Sequence, residues 1–387
     1  TMGPPYRGIE VDPRPEAKVT DDTGLVWRDY RITHPQEFSR VFGPLARYRL
    51  YESKDDNRDW QLDFNRPNTG AWAYACEHYR QFQAEFGFDF MRGDMSHVQM
   101  RPGGVPAERD EYYDLLGAVK QTVLREKPWF GYFAESFLAP PGEMAYGDEC
   151  DHLEASYADT TLGDLQSEPV GTDKFMQIFS QYRRLLETRK FAPNFTIMTA
   201  DKDDPRFDSF YLSGNEIRYF VALFLTDMPS YMGLGFECRD PHEQPAPNEF
   251  YSKYYVFQMS NDPKTTSGPY RWGQNKQLYE NLARQKMLAE EIFPAIRDAK
   301  IVWLLPPDET GTNKVIAWTQ ADQPKYLFVA NFDTANDRDI SFAVPDSTQW
   351  QLCFSTENEN LSEREVYSGK IAIKKLSPAE GLVFRRL

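Results

Sequence analysis

Cysteine and histidine are scarce in this 387-residue chain, which holds 4 and 5 of them. Cys76, Cys150, Cys238 and Cys353 stand far apart, with no CxxC and no Cys/His cluster. Zinc-finger and redox-motif readings therefore fail, and four separate reduced thiols are the expectation, with two disulfides the alternative. His34, His78, His97, His152 and His242 form no HExxH and no ligand pair at helical spacing, so nothing compels a catalytic metal. Long apolar runs are missing too. The best, Tyr219 to Leu225, ends within two turns, against the roughly 18 residues a membrane helix needs. The opening Thr1-Met2-Gly3-Pro4-Pro5 shows no basic segment leading into an apolar one, and so no visible secretion signal, although a removed signal would leave the same picture. Positive charge is in deficit: 44 Lys and Arg face 59 Asp and Glu, a net −15. That argues against a nucleic acid or an anionic membrane surface as the main partner.

What is present is core material. Hydrophobic residues make up 41% and aromatics 15%, enough to exclude a disordered chain. The length suits one large domain and a smaller one. Apolar periodicity predicts helices over Asn68 to Phe86, with Trp72, Ala75, Cys76, Tyr79, Phe82 and Phe86 on one face, and over Arg109 to Lys127, Thr172 to Thr188, Gly214 to Leu225 and Asn281 to Arg297. Short strands are expected at Phe88 to Met91, Trp129 to Ala134 (with Trp129 in the core) and Asn194 to Met198. Strands alternating with helices imply βα units and a parallel sheet. From about Lys300 the pattern becomes short β runs separated by turns: Ile301 to Leu305, Lys314 to Trp318, Tyr326 to Asn331, Ile340 to Val344, Trp350 to Phe354, Ile371 to Leu376 and Gly381 to Arg385. These predict a C-terminal β-sandwich.

Functional side chains of parallel βα folds collect where strands end. The strand at Phe88 runs into Arg92-Gly93-Asp94, the strand at Phe130 into Glu135, and the strand at Phe195 into Asp201-Lys202-Asp203-Asp204-Pro205-Arg206. Three successive strands thus deliver carboxylates to one rim. Paired carboxylates suit glycosidic-bond chemistry: one attacks the anomeric carbon, the other protonates the departing oxygen, and a separation of about 5–5.5 Å gives retention. An arginine beside the nucleophile, here Arg92, keeps it ionised and oriented. Any one of these acids alone reads as an ordinary solvated strand end.

Gly87-Phe88-Asp89-Phe90-Met91-Arg92-Gly93-Asp94 resembles the fourth-strand motif G-F-D-G-F-R-x-D of the α-amylase superfamily, glycoside hydrolase family 13. Tyr132-Phe133-Ala134-Glu135 is similar to the fifth-strand signature, and Asp201 to Arg206 resembles the seventh-strand N-H-D-x-P-R. Pro229 to Glu237, ending Gly235-Phe236-Glu237, resembles the eighth strand. The resemblance covers roughly residues 60 to 387 and rests on the order and spacing of several short motifs. It implies Asp94 as nucleophile, Glu135 as acid/base and Asp203 as transition-state stabiliser. Arg92, His97, Lys202 and Arg206 are then the substrate-side candidates. His97 falls where the family places a polar Lys-His pair, the other reading being a structural hydrogen-bonder.

Two departures stand out. Lys202 replaces the seventh-strand histidine, a flexible cation in place of a planar ring, which points away from ordinary starch hydrolysis and toward an unusual or anionic sugar. The third-strand Asp…Asn-His signature is also missing before Asp94. Tyr6 to Val11, Gly24 to Ile32 and Ala46 to Tyr51 offer only weak strands. Because a barrel without its first strands has an unstable edge, these segments are either divergent strands or the sequel to an upstream segment of a longer chain that completes the barrel; the second is the expectation.

The expected architecture is a (β/α)8 TIM-type barrel over 1–298, with residues 1–65 irregular and its first strands divergent or missing, followed by an antiparallel β-sandwich over 299–387. The implied function is a retaining glycoside hydrolase or transglycosylase acting on α-glucosidic bonds of a carbohydrate substrate. The rival is a catalytically inactive carbohydrate-binding or scaffold protein of the same family. No cofactor is expected. Asp148-Glu149-Asp151 could hold a structural calcium but lacks an EF-hand spacing, so a solvated loop is expected there and at Asp55 to Asp59. Tyr270 and Trp272, in a turn-rich loop, could stack on a sugar or cover the core.

Overall fold

The computed structural model describes residues 9–20, 26–28, 30–32, 50–53, 62–101, 109–140, 147–165, 168–198, 214–233, 236–237, 254–255, 257–259, 270–272, 276–344, 348–357 and 366–387. Asp55 to Asp59, Lys202, Asp203, Arg206 and Cys238 lie outside them, as do the side chains of Tyr270 and Trp272. The chain divides into two compact units, Thr1–Gly163 with Thr188–Ala192, and Asp164–Glu187 with Pro193–Leu387.

The first unit opens with antiparallel ladders: β1 (Ile9–Val11) on β4 (Tyr30–Ile32), β2 (Lys18–Thr20) on β3 (Val26–Arg28), and β5 (Tyr51–Ser53) on β6 (Leu62–Pro67). Helix α1 (Thr69–Phe86) starts where the Asn68 side chain accepts the Ala71 N–H at 3.1 Å. It stops at Gly87, whose φ of 72° glycine adopts at no steric cost. Trp72, Ala75 and Cys76 pack on Leu115, Val119 and Val123 of α2 (Leu115–Leu124). That helix is shorter than the Arg109-to-Lys127 pattern because Asp114 caps it, accepting the Gly117 N–H at 2.6 Å.

The apolar stripe of α1 outruns this partner, since α1 has 18 residues and α2 only 10. Tyr79, Phe82 and Phe86 are consequently exposed rather than buried. Tyr74, His78, Phe82, Phe86 and Phe88 instead form a file of rings 4.5–6.1 Å apart. Trp129 is likewise not in the core. It is 71% exposed in the turn before its strand, with the Lys127 ammonium 5.9 Å from its ring.

The strands that follow form a sheet of order β12-β11-β8-β7, from β7 (Phe90–Gly93), β8 (Gly131–Ala134), β11 (Thr160–Thr161) and β12 (Ala192–Pro193). β7 and β8 run parallel, pairing Arg92 with Phe133 and Gly93 with Ala134; β11 runs parallel to β8. Between β8 and β11 lie β9 (Phe137–Leu138), parallel to β10 (Gly147–Asp148), and α3 (Cys150–Ala155). Tyr132, Ala134, Leu153, Ala158 and Phe191 close the core behind β8.

The second unit contains α4 (Asp173–Thr188), parallel β13 (Phe195–Met198) and β14 (Ser230–Gly233), α5 (Asn215–Phe224) and α6 (Lys276–Ile296). It also holds parallel β15 (Phe236–Glu237) and β16 (Tyr254–Tyr255), and antiparallel β17 (Phe257–Met259) and β18 (Tyr270–Trp272). Eight antiparallel strands complete it: β19 (Ile301–Leu305), β20 (Val315–Gln320), β21 (Tyr326–Asn331), β22 (Arg338–Ala343), β23 (Gln349–Ser355), β24 (Val366–Ser368), β25 (Lys370–Leu376) and β26 (Gly381–Arg386). Their order is β19-β20-β21-β26-β23-β24-β25-β22. Val315, Leu327, Phe342, Trp350, Ile371 and Phe384 interlock in the core they enclose. On the other side Phe328 stacks on Phe224 of α5, and the Trp318 indole donates to the Phe224 carbonyl at 3.1 Å. Phe175 and Phe179 of α4 pack on Phe332.

Candidate active site

β7 and β8 are parallel neighbours, so their carboxyl ends open on the same side, which puts Asp94 and Glu135 on one rim. Arg92 and Asp94 are two residues apart on an extended chain and face the same way. The Arg92 Nη1 donates to Asp94 Oδ1 at 2.8 Å, while Nη2 lies 3.4 Å from Glu135 Oε1. One guanidinium therefore spans both carboxylates. Side-chain exposures of 41% for Arg92 and 75% for Asp94 make these pairs weak as stabilisers, below about 1 kcal/mol each. Their consequence is orientation.

The chain turns sharply after Asp94. Met95 has a left-handed backbone, φ 46° and ψ 55°, and its N–H donates to Glu135 Oε2 at 2.9 Å. Both Glu135 oxygens thus meet donors, and the Glu135 N–H donates to the Gly93 carbonyl at 2.9 Å. A 3-10 turn, Ser96–Val98, follows. His97 in that turn is 4% exposed, with Nδ1 3.3 Å from Ser136 Oγ. It sits behind the rim, against the Ser136 hydroxyl.

Asp148 corrects the solvated-loop expectation: it is completely buried, as is His152 on α3. The Ser96 hydroxyl donates to Asp148 Oδ2 at 2.8 Å, and His152 Nδ1 lies 4.0 Å from Oδ1. The Tyr132 hydroxyl shares this region. Burial first, then the Asp114 and Asp148 charges, push its ionisation well above the ordinary tyrosine range.

Of the seven sequence-derived site residues, Arg92, Asp94 and Glu135 come together, and His97 lies behind them. Asp203, Lys202 and Arg206 fall outside the described residues. Three contributors escaped the sequence reading: the Met95 amide, Ser96 and Asp148. The one available signal was His152, four residues after Asp148 at helical spacing. A cavity of about 660 Å³ lies between α1 and α2, lined by Trp72, Cys76, Arg109, Tyr112, Gln121 and Arg125; neither Asp94 nor Glu135 borders it. Among the described residues no helix is long and apolar enough to cross a membrane.

A family model for the α-amylase C-terminal all-β domain matches residues 308–384. The crystal structure of an Anoxybacillus α-amylase, reported as giving insight into a new glycosyl hydrolase subclass, superposes with a TM-score of 0.51 at 13% identity; 88% of this chain and 72% of that one are covered. The Geobacillus thermoleovorans α-amylase complexed with acarbose gives 0.49 at 11% identity, covering 89% and 74%. An α-amylase from Lactobacillus plantarum gives 0.46 at 12%, covering 88% and 74%. No curated protein matches the sequence. The fold class is a TIM-type barrel followed by an antiparallel β domain.

Proposed function

We propose that this chain, a member of the α-amylase superfamily by its C-terminal all-β domain and its fold, is a retaining enzyme acting on α-glucosidic bonds of an oligo- or polysaccharide. The fold is that of glycoside hydrolases; the observation that carries the finer reading is the Arg92 bridge between strand-end carboxylates on adjacent parallel strands. In this reading Asp94, the more exposed of the two, attacks the anomeric carbon. Glu135 gives its proton to the departing oxygen as that bond breaks, leaving a glycosyl ester on Asp94. Glu135 then takes a proton from the incoming water or sugar hydroxyl as it opens the ester. Arg92 holds the Asp94 carboxylate in place through the 2.8 Å hydrogen bond from Nη1. Asp203 is assigned to the ring hydroxyls by its motif, with Lys202 and Arg206 as substrate-side groups and His97, buried behind the rim, as a supporting one.

The test is intact-protein mass after incubation with a 5-fluoro-α-glycosyl fluoride, which forms the glycosyl-enzyme but slows its breakdown. The native protein gains one glycosyl adduct and Asp94→Asn gains none. An adduct on both proteins, or on neither across α-glucosyl and α-maltosyl reagents, overturns the assignment.

A further inference from the structure

We propose that Asp148 is a positioning residue for Glu135, acting through Ser96 and the Met95 amide, and that this chain of contacts fixes which Glu135 oxygen carries the catalytic proton. The inference rests on the reading of Glu135 as acid/base.

The path is continuous. Asp148 Oδ2 accepts the Ser96 hydroxyl at 2.8 Å, both groups being shut off from solvent. Asp148 is itself anchored from two sides: its carbonyl accepts the Ala139 N–H at 2.9 Å in the β9–β10 pair, and His152 flanks its other oxygen. Ser96 is the first residue after the left-handed Met95, a backbone region that non-glycine residues seldom occupy without external restraint. Holding Ser96 therefore holds that turn, and the turn aims the Met95 N–H at Glu135 Oε2. An amide can only donate. It keeps Oε2 as the carbonyl-like acceptor and leaves the proton of the acid form to Oε1, where the longer 3.4 Å contact with Arg92 is the one that yields. A buried carboxylate is costly unless its hydrogen bonds are made. Here the one to Oδ2 comes from the residue that sets the turn between the two site acids.

Three variants separate positioning from mere structure: Ser96→Ala, Ser96→Thr and Asp148→Asn. Each is assayed on an alkyl α-glucoside, whose alcohol must be protonated to leave, and on α-glucosyl fluoride, whose leaving group needs far less help. Ser96→Ala and Asp148→Asn are expected to lose about 10-fold in kcat/KM on the alkyl glucoside, the effect of a hydrogen bond to a charged group. They lose less than about 2-fold on the fluoride, and Ser96→Thr, which keeps the hydroxyl, restores the alkyl glucoside rate. Equal losses on both substrates, or no loss on either, overturn the proposal.

A readout independent of turnover is the hydrogen-exchange rate of the Met95 amide. Ser96→Ala accelerates it about 10-fold, while the Glu135 amide, bonded to Gly93 in the ladder, keeps its rate. If the native protein forms no adduct and turns over neither substrate, the functional reading fails, and the Met95 rate alone then decides whether Asp148 sets this turn: acceleration supports it and an unchanged rate overturns it.

Discussion

Replacing Gly93 with alanine tests the claim that the strand carrying Asp94 must end on a residue without a side chain. A β-carbon there would lie 2.5 Å from Leu116 Cδ1, 2.9 Å from Tyr132 Cε2 and 3.2 Å from the Tyr132 hydroxyl. The two neighbours differ in how they can yield. Leu116 is half-buried and its terminal methyl can rotate away. Tyr132 is 1% exposed, part of the core behind β8, and its hydroxyl is enclosed with two buried carboxylates. Overpacking of this kind costs about 1–3 kcal/mol, offset by about 0.4–1 kcal/mol of unfolded-chain entropy that alanine removes. A net loss of about 1–2 kcal/mol is expected. Hydrogen exchange of peptides spanning residues 90–93 and 131–135 reads it directly, as roughly a 5–30-fold rise in exchange. Leu116→Ala in the same chain should recover less than half, because the Tyr132 contact persists. Gly93→Ala exchanging no faster than the native chain would refute the packing argument, and full recovery by Leu116→Ala would refute the rigidity assigned to Tyr132.

Two further predictions concern pH and have opposite signs. Burial, then the charge of Glu357, pushes the Glu216 carboxyl at the start of α5 above its ordinary range, so the folded unit is stabilised as pH falls through that raised value. Glu216→Gln should raise the melting temperature at pH 7 by roughly 2–4 °C, as expected for about 1 kcal/mol of desolvation relieved, and the difference should vanish near pH 4. Burial also opposes ionisation of Asp333, but the Ala335 and Asn336 amides, both at 2.9 Å, and the Arg338 guanidinium outweigh it and hold the carboxyl below its ordinary range. Its contribution is present above the unfolded value near 4 and is lost as pH falls through the depressed one. Asp333→Asn should therefore cost about 1 kcal/mol at pH 7, and the native and variant melting curves should converge toward pH 2.

Much of this was written into the sequence because the relevant signals are local. The expected strands at Ile301, Lys314, Tyr326, Ile340, Trp350, Ile371 and Gly381 lie within two residues of β19, β20, β21, β22, β23, β25 and β26. Turn residues and β-branched alternation mark those ends. β24 was not anticipated: Val366–Ser368 is three residues long and its first valine is exposed, so it carries no alternation. Trp129 and the outer rings of α1 were misread because periodicity reports a face, and only a neighbour decides whether the face is covered. The site divides the same way. Asp94 and Glu135 were legible as strand ends, and Arg92 as a partner of Asp94. Its reach to Glu135 depends on β7 and β8 pairing in parallel, which no local pattern encodes. Asp148 looked like a loop acid because β10 is only two residues long.

The early helix α4 has a consequence for how the protein is made. Its aromatic face, Phe175 and Phe179, packs on Phe332, and Asp173 pairs with Lys314, 141 residues further along. At about 5–20 residues per second, roughly 7–30 s of synthesis separate those two charges. Throughout that interval the nascent chain carries an aromatic surface that Phe195 and Arg218 cover in part and that is completed only by Phe332. Chaperone engagement should therefore peak once α4 has left the ribosome and fall when the strands around Phe332 emerge, a profile fixed by the order of the chain.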